Sequence, residues 1–164
     1  MKQYEVIEGD LLEAKNGIIC HQVNCQGRMN SGVAKAIREK YPKVYLQYLE
    51  FVDQHKTGKI NEPLLGKVQF VTLNELPSYV STPMYVVNMF AQDNYGYDGK
   101  QYTSVEAFKK CLEDINRVCV GCEVSFPWKI GCVRGGADWD TVLNLICETL
   151  KDVRTIKFYK LDRG

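Results

Sequence analysis

The sequence has no run of apolar residues close to the roughly 18 that a membrane-spanning helix requires. Residues 1–5 also lack the charged-then-apolar layout of a secretory signal peptide. Neither sign of charge dominates, because 21 lysines and arginines oppose 20 aspartates and glutamates, for a net charge of +1. Domains that bind nucleic-acid backbones are usually strongly basic. These absences argue against a membrane partner, against export and against general nucleic-acid binding.

Histidine is also scarce, with only His21 and His55 in the chain. The pair Cys119-x-x-Cys122 would need two further ligands to complete a four-ligand metal site, so we expect no metal and no cofactor. The seven cysteines are odd in number, and most of them lie within apolar runs. Reduced thiols that pack as small apolar groups are typical of a cytoplasmic protein.

No internal repeat, low-complexity tract or Pro/Gly/Ser linker divides the 164 residues. Hydrophobic residues make up 45% and charged residues 25%, which is typical of a globular chain and excludes a disordered one. We therefore expect a single domain over residues 1–164. Nothing in the sequence requires more than a monomer.

Short β-rich runs alternate with helical runs along the chain. Strands are predicted at residues 4–7, 17–23, 67–73, 84–90, 123–126 and 154–161. Helices are predicted after Gly32, after Pro42, after a capping box formed by Thr103 and Glu106, and after Asp138. This order predicts a layered α/β domain with a mostly parallel sheet, whose ligands bind at the carboxyl ends of the strands.

Two glycine-containing loops follow predicted strands and precede helices. In the first, residues 24–32, Gly27 and Gly32 permit a close approach of the backbone. A helix N-terminus favours a phosphate through its free N–H groups, and here these groups belong to Ser31, Gly32, Val33 and Ala34. The glycine spacing also fits an ordinary β–α turn, and it matches neither a dinucleotide nor a P-loop motif.

The second loop, residues 130–139, has three glycines within six residues, again before a helix. Two such loops at neighbouring strand ends could hold a diphosphate from both sides. Arg134 could add charge there, or it could be a solvated loop arginine.

Together and in this order, these motifs resemble the macrodomains, a family of ADP-ribose-binding modules. The resemblance spans nearly the whole chain, from Gly9-Asp10-Leu11-Leu12 through both loops to Phe158-Tyr159. The chain looks most like the branch of terminal ADP-ribose protein glycohydrolase and the DNA ADP-ribosyl glycohydrolase antitoxins. ADP-ribose-1″-phosphate phosphatases are similar around residues 21–34. The resemblance implies an α/β fold, a three-layer α/β/α sandwich around a mixed, mostly parallel six-stranded sheet.

The resemblance also implies roles for individual residues. Asp10 would accept a hydrogen bond from the adenine amine, Asn24 would bond to the distal ribose, and Tyr159 or Phe158 would stack on adenine. Without the family, Asp10 could cap a turn, Asn24 could form an Asx turn, and the aromatic residues could belong to the core. The full ligand-binding set is Asp10, Leu11, Asn24, Met29, Ser31, Gly32, Val33, Ala34, Ile130, Gly131, Cys132, Val133, Arg134, Gly135, Gly136 and Tyr159.

The chain departs from the family at the position where the related glycohydrolases carry a catalytic lysine, because Gln92 stands there. Glutamine can neither form a Schiff base nor act as a nucleophile, although Lys100 in the next loop could reach inward. A second-loop aspartate of the human-type enzyme is Gly135 here, as it is in the DNA-directed antitoxins.

Two other residues are catalytic candidates. His21 matches a histidine of the phosphatase-type relatives and could act as a general acid or a nucleophile, or it could simply bond to neighbouring backbone. Asp138 could orient a water or cap the last helix. Nearby tyrosines could form a lid or an ordinary surface loop; they are Tyr95, Tyr97 and Tyr102.

The sequence therefore predicts a macrodomain that binds ADP-ribose or an ADP-ribosylated macromolecule. It could hydrolyse a bond at the distal ribose, either a link to protein or nucleobase or a 1″-phosphate. It could instead be a reader or scavenger that only binds. A third, unrelated class is an α/β protein for another nucleotide.

Overall fold

The computed structural model describes residues 2–73, 85–96 and 98–161. Its strands are β1 (Tyr4–Glu8), β2 (Ile18–Asn24), β3 (Val68–Thr72), β4 (Tyr85–Gln92), β5 (Glu123–Pro127) and β6 (Thr155–Lys160). Its helices are α1 (Gly32–Lys40), α2 (Pro42–Lys56), α3 (Val105–Val118) and α4 (Trp139–Thr149), with a 3-10 turn at Leu11–Glu13. Each predicted strand and helix has a counterpart here. Met84 of the predicted fourth strand and Tyr97 of the tyrosine loop lie outside the described residues.

The six strands form one sheet in the order β1-β6-β5-β2-β4-β3. All neighbouring strands are parallel except β3 and β4, so the predicted mixed, mostly parallel sheet is confirmed. Because β2 and β5 are parallel neighbours, their carboxyl ends lie at the same edge of the sheet. The two glycine loops follow these two strands and are therefore adjacent.

Helices cover both faces of the sheet, because alternate residues of a strand point to opposite sides. On β2, Ile18 and Cys20 pack into the cluster that includes α3 and α4. Ile19 and Val23 pack into the cluster that includes α1 and α2. The expected α/β/α sandwich is confirmed. Within the part of the chain that the structure describes, no helix is both long and apolar enough to cross a bilayer.

Helix α3 begins one residue later than its predicted capping box. Ser104 is the N-cap, and its Oγ accepts a hydrogen bond from the Ala107 amide at 3.1 Å. Thr103 is buried, and its hydroxyl donates to the Gly131 carbonyl at 2.7 Å. The prediction was wrong because two adjacent hydroxyl residues can both cap a helix, and a contact with the second loop decides between them.

Candidate functional site

A cavity of about 520 Å³ opens at the carboxyl ends of the central strands. Its volume lies within the usual range for small-molecule sites. The end of β2 contributes four consecutive lining residues, His21 to Asn24, and the ends of β5 and β6 contribute others. Both glycine loops also line it, so the structure brings together the two segments that the sequence singled out.

The first loop is held in place by Asn24 and by Tyr48 of α2. The Asn24 Oδ1 accepts from the Gln26 amide at 3.0 Å, and its Nδ2 donates to the Arg28 carbonyl at 2.9 Å. The Tyr48 hydroxyl donates to the Asn24 carbonyl at 2.7 Å and accepts from the Gly27 and Arg28 amides, both at 3.1 Å. Asn24 therefore makes the Asx turn and also lines the cavity, so its two readings are compatible.

The start of α1 forms one side of the cavity. Gly32 is the first residue of that helix and has a φ of +57°, which favours glycine. A Cβ built there would meet no atom within 4 Å, so the position is open as well as strained. The predicted segment lines the cavity in full, namely Ser31, Gly32, Val33 and Ala34.

The second loop forms the opposite side of the cavity, and backbone hydrogen bonds hold it in place. The Ala137 amide donates to the Gly131 carbonyl at 3.1 Å, and the Thr103 amide donates to the Gly135 carbonyl at 2.9 Å. A Cβ on Gly135 would overlap the Thr103 hydroxyl and the Gly131 carbonyl, so the loop requires glycine there. Its cavity-lining residues are Ile130, Gly131, Val133, Arg134 and Gly135.

Two predicted residues of the second loop do not line the cavity. The Cys132 thiol donates to the Ile130 carbonyl, and burial raises its pKa to about 11. A Cβ on Gly136 would press on the Lys100 carbonyl, because the chain packs against the preceding loop at this point. Cys132 packs instead against the apolar cluster that includes α3 and α4, and Gly136 packs against residues 100 and 101.

Three further predicted residues also lie away from the cavity. Asp10 caps the 3-10 turn by accepting from the Leu12 amide at 2.9 Å, whereas Leu11 lines the cavity. Met29 is fully buried in the apolar cluster of α1 and α2. Asp138 caps α4 by accepting from the Thr141 amide at 3.0 Å, and that bond lowers the pKa of its carboxyl. Its capping role thus accounts for its position.

Gln22 is a site residue that the sequence did not identify. Its Nε2 donates to the Gln92 Oε1 and to the Thr103 hydroxyl, both at 2.7 Å, so both of its protons are used. Its Oε1 is buried without a partner beside Gly131. Gln92 in turn donates to the Asn94 carbonyl at 2.8 Å. Gln92, which stands in the position of the family lysine, therefore holds the Gln22 side chain in place.

His21 lies on β2 at the floor of the cavity and is 1% exposed. Its Nε2 lies 2.5 Å from the Asn88 Oδ1, and its Nδ1 is buried without a partner. Burial lowers the pKa of His21 to about 4, although the bond to Asn88 opposes that shift. The imidazole is therefore neutral at pH 7, which does not suit a general acid.

An aromatic wall closes the β6 side of the cavity. Tyr159 and Trp128 line it, whereas Phe158 is buried in the core. Of the two aromatic residues predicted to stack on a base, only Tyr159 is therefore in reach. Trp128 packs against Trp139, with ring centroids 5.0 Å apart. Its position directly after β5 is the signal that could have identified it.

Among the described residues of the loop after β4, one tyrosine lines the cavity. Tyr95 lines it and is 40% exposed. The Tyr102 hydroxyl donates to Asp98 at 2.9 Å, and Lys100 pairs with the same carboxylate at 3.7 Å. Lys100 is not among the lining residues and therefore does not replace the missing lysine in this conformation.

The charged residues that line the cavity are all cationic, among the residues that the structure describes. They are Arg28, Lys129, Arg134 and Lys160. The chain as a whole is nearly neutral, so this one-sided charge is a local property of the site. Lys129 also has a φ of +58°, unusual for a residue with a side chain.

Comparisons with known proteins give a consistent picture. A family model described as Macro domain matches residues 20–146. The DNA ADP-ribosyl glycohydrolase of Mycobacterium tuberculosis is 27% identical over 134 residues, covering 82% of this chain and 35% of that protein. The ADP-ribose 1″-phosphate phosphatase of Saccharomyces cerevisiae is 25% identical over 116 residues, covering 70% of this chain and 60% of that protein. The chain thus spans about a third of the first relative and three fifths of the second.

Among solved structures, Thermosipho africanus DarTG in complex with ADP-ribose superposes with a TM-score of 0.73. The match covers 96% of this chain and 41% of that chain at 18% identity, so it supports the fold alone. The family model covers well over half of the chain and includes both glycine loops. This chain belongs to the Macro domain family.

Proposed function

We propose that this chain binds ADP-ribose, free or attached to a macromolecule, between its two glycine loops. One observation carries the proposal: both loops line a single cavity whose charged lining residues, in the described part of the chain, are all cations. Backbone N–H groups at a helix start and cationic side chains both favour phosphate oxygens. A diphosphate offers one phosphate to each loop.

The two ends of the cavity differ in a way that suits the rest of this ligand. The aromatic wall of Trp128 and Tyr159 lies on the β6 side and offers flat apolar surface for adenine. Asn24 and Gln22 line the β2 side, and the Gln22 Oε1, which has no partner in the protein, can accept a hydrogen bond from a ribose hydroxyl. We infer that adenine lies at β6 and the distal ribose at β2.

Calorimetric titration with ADP-ribose, ADP and AMP tests this proposal. We expect a micromolar Kd for ADP-ribose, about −8 kcal/mol. AMP lacks the second phosphate and the distal ribose, so it should bind at least roughly tenfold more weakly, a difference of about 1.4 kcal/mol. Equal affinity for AMP and ADP-ribose, or no heat with folded protein, would refute the proposal.

Hydrolysis at the distal ribose is the second candidate function. It is favoured by the relatives, which are named as a glycohydrolase and a phosphatase that act on ADP-ribosyl compounds. Water would add across the bond at C1″, releasing free ADP-ribose and the protonated attached group. The family lysine is replaced by Gln92, whose amide is committed to Gln22 and Asn94, so this chain would need another activating group.

Product analysis separates an enzyme from a reader or scavenger that only binds. The protein would be incubated with ADP-ribose-1″-phosphate, with ADP-ribosylated DNA and with ADP-ribosylated protein, and free ADP-ribose would be measured. Turnover that His21→Gln reduces would assign an enzyme. Binding of all three without release of ADP-ribose would assign a reader.

We also propose that the macrodomain comprises residues 1–164 and resides in the cytoplasm. Strands β1 and β6 lie outside the family match and are nevertheless hydrogen-bonded members of the sheet. All seven cysteines are free thiols, as suits a reducing compartment.

A further inference from the structure

Three polar side chains cross the sheet beneath the first loop, on the face that α1 and α2 cover. His21 of β2 is the register partner of Asn88 of β4, which is the register partner of Gln69 of β3. Asn88 is fully buried and His21 nearly so, between apolar residues of the same strands. Buried polar groups at such positions cost free energy unless they bond to one another.

The direction of these hydrogen bonds is determined by a backbone carbonyl at one end. The carbonyl of Gln47, on α2, can only accept, and the Gln69 Nε2 donates to it at 3.0 Å. The Gln69 Oε1 therefore faces Asn88 and accepts from its Nδ2 at 3.0 Å. This leaves the Asn88 Oδ1 facing the His21 Nε2, which must carry the proton.

The other ring nitrogen of His21, Nδ1, is therefore a hydrogen-bond acceptor without a partner. A neutral imidazole has one N–H and one lone pair, so a proton on Nε2 leaves the lone pair on Nδ1. That atom is buried and has no partner. An unpaired buried acceptor is costly, and His21 lines the cavity. A ligand group that donates a hydrogen bond would satisfy it.

The position of His21 in the sheet indicates which part of the ligand could donate a hydrogen bond to its Nδ1. Strand β5 separates β2 from β6, so at about 4.8 Å per strand His21 lies roughly 10 Å across the sheet from Tyr159, the β6 residue of the aromatic wall. The adenine amine would therefore be out of reach. Among the described residues, no carboxylate lines the cavity that could accept this hydrogen bond instead of the His21 Nδ1.

We propose that Gln69 and Asn88 are positioning residues that keep His21 in its Nε2–H tautomer, so that Nδ1 accepts a hydrogen bond from a hydroxyl of the distal ribose. We call the side chains of His21, Asn88 and Gln69 the tautomer relay. The ribose part of this proposal rests on the proposed function, whereas the tautomer does not.

Nitrogen-15 NMR of histidine side chains tests both parts. The chain has two histidines, so the spectrum is simple. His55 is an internal control, because its Nδ1 lies 2.7 Å from the Phe51 carbonyl and must carry the proton there. We expect His21 as the Nε2–H tautomer and His55 as the Nδ1–H tautomer. ADP-ribose should shift the His21 Nδ1 resonance, and AMP should leave it unchanged.

A variant pair tests the positioning role. Gln69→Leu removes the end of the tautomer relay that orients Asn88 and frees Asn88 to rotate, so an Nδ1–H population of His21 should appear. Affinity for ADP-ribose should fall roughly fivefold, as for one lost hydrogen bond, with AMP affinity unchanged. Gln47→Ala is the matched control, because it keeps the backbone carbonyl and should change neither the tautomer nor the affinity.

Each outcome has a distinct meaning. An Nδ1–H tautomer of His21 in the free protein overturns the relay, even if ADP-ribose binds. Calorimetric binding with an unmoved Nδ1 resonance overturns the role in ribose recognition. An Nε2–H tautomer without any binding of ADP-ribose supports the relay and overturns the proposed function.

Discussion

At the scale of single residues, His21 is a titratable side chain held out of contact with water. It is buried, neutral and bonded on one side only. The sequence identified His21 as a candidate from its place beside the first loop. It could not reveal the partners, because Asn88 lies 67 positions away in the chain and the pairing depends on strand register.

The depressed pKa of His21 predicts a loss of stability in acid. Unfolded chains take up a proton at His21 below pH 6.5, whereas the folded protein does so only near pH 4. The unfolded state thus binds more protons in this window. The contribution of His21 is full above pH 6.5 and falls as the pH drops to about 4, by roughly 3 kcal/mol.

Chemical denaturation of the wild type and of His21→Leu at pH 7 and pH 4.5 measures this effect. The wild type should lose more unfolding free energy between the two pH values than the variant does. Equal losses in the two proteins would mean that His21 titrates normally in the folded state.

At the scale of elements, Thr103 joins α3, β2 and the second loop. Its hydroxyl accepts from Gln22 and donates to the Gly131 carbonyl, both at 2.7 Å. Thr103→Val keeps the shape but leaves both partners without this bond, so the free energy of unfolding should fall by about 2 kcal/mol. Affinity for ADP-ribose should fall too, because Gly131 and Gln22 line the cavity.

Thermal unfolding and calorimetry of Thr103→Val would be compared with Thr72→Val, which alters an exposed threonine on β3. The control should behave like the wild type. If Thr103→Val matched that control in both measurements, the hydroxyl would have no part in holding the second loop.

The start of α1 gives a second prediction at this scale. Gly32→Ala introduces a side chain at positive φ without any clash, so it should cost about 1 kcal/mol of stability. Gly32→Glu carries the same strain and adds a negative charge at the cavity. We expect Gly32→Glu to bind ADP-ribose more than roughly tenfold more weakly than Gly32→Ala, from Coulomb repulsion.

The two variants should have similar melting temperatures, since their backbone strain is the same. Because the strain is the same in both variants, a difference between their calorimetric affinities for ADP-ribose reports the effect of the added negative charge. Matching affinities would show that the phosphates lie elsewhere than at this helix start.

The elements themselves could be predicted from local pattern, whereas several site residues could not. Apolar runs and helical spacing predicted all six strands and the four helices, including Asp138 as a cap. The ligand-binding roles predicted for Met29 and Asp10 rest on family position alone, and the structure places Met29 in the core and Asp10 in a turn cap. Gln22 was missed because its importance comes from partners 70 and 81 positions away.

At the scale of the whole molecule, charge is distributed unevenly although its sum is close to zero. The net charge is +1, yet the charged residues lining the cavity, within the described ranges, are four cations. This separation concentrates positive potential at the cavity, where it would attract a small dianion even though the protein as a whole is nearly neutral.

Salt should therefore weaken binding of the diphosphate. Raising the salt from about 50 mM to about 500 mM shortens the screening length from about 14 Å to about 4 Å. We expect the Kd for ADP-ribose to rise roughly threefold to tenfold, whereas uncharged adenosine should bind equally at both concentrations. A Kd for ADP-ribose that did not depend on salt would remove the role given to the cations.

The most direct measurement is a crystal structure of the protein with ADP-ribose. The diphosphate should lie within hydrogen-bonding distance of backbone amides from both segments, 31–34 and 131–135, with adenine against Tyr159 and the distal ribose above His21 and Asn24. A ligand bound outside the cavity, or with its phosphates in contact with neither loop, would contradict this arrangement.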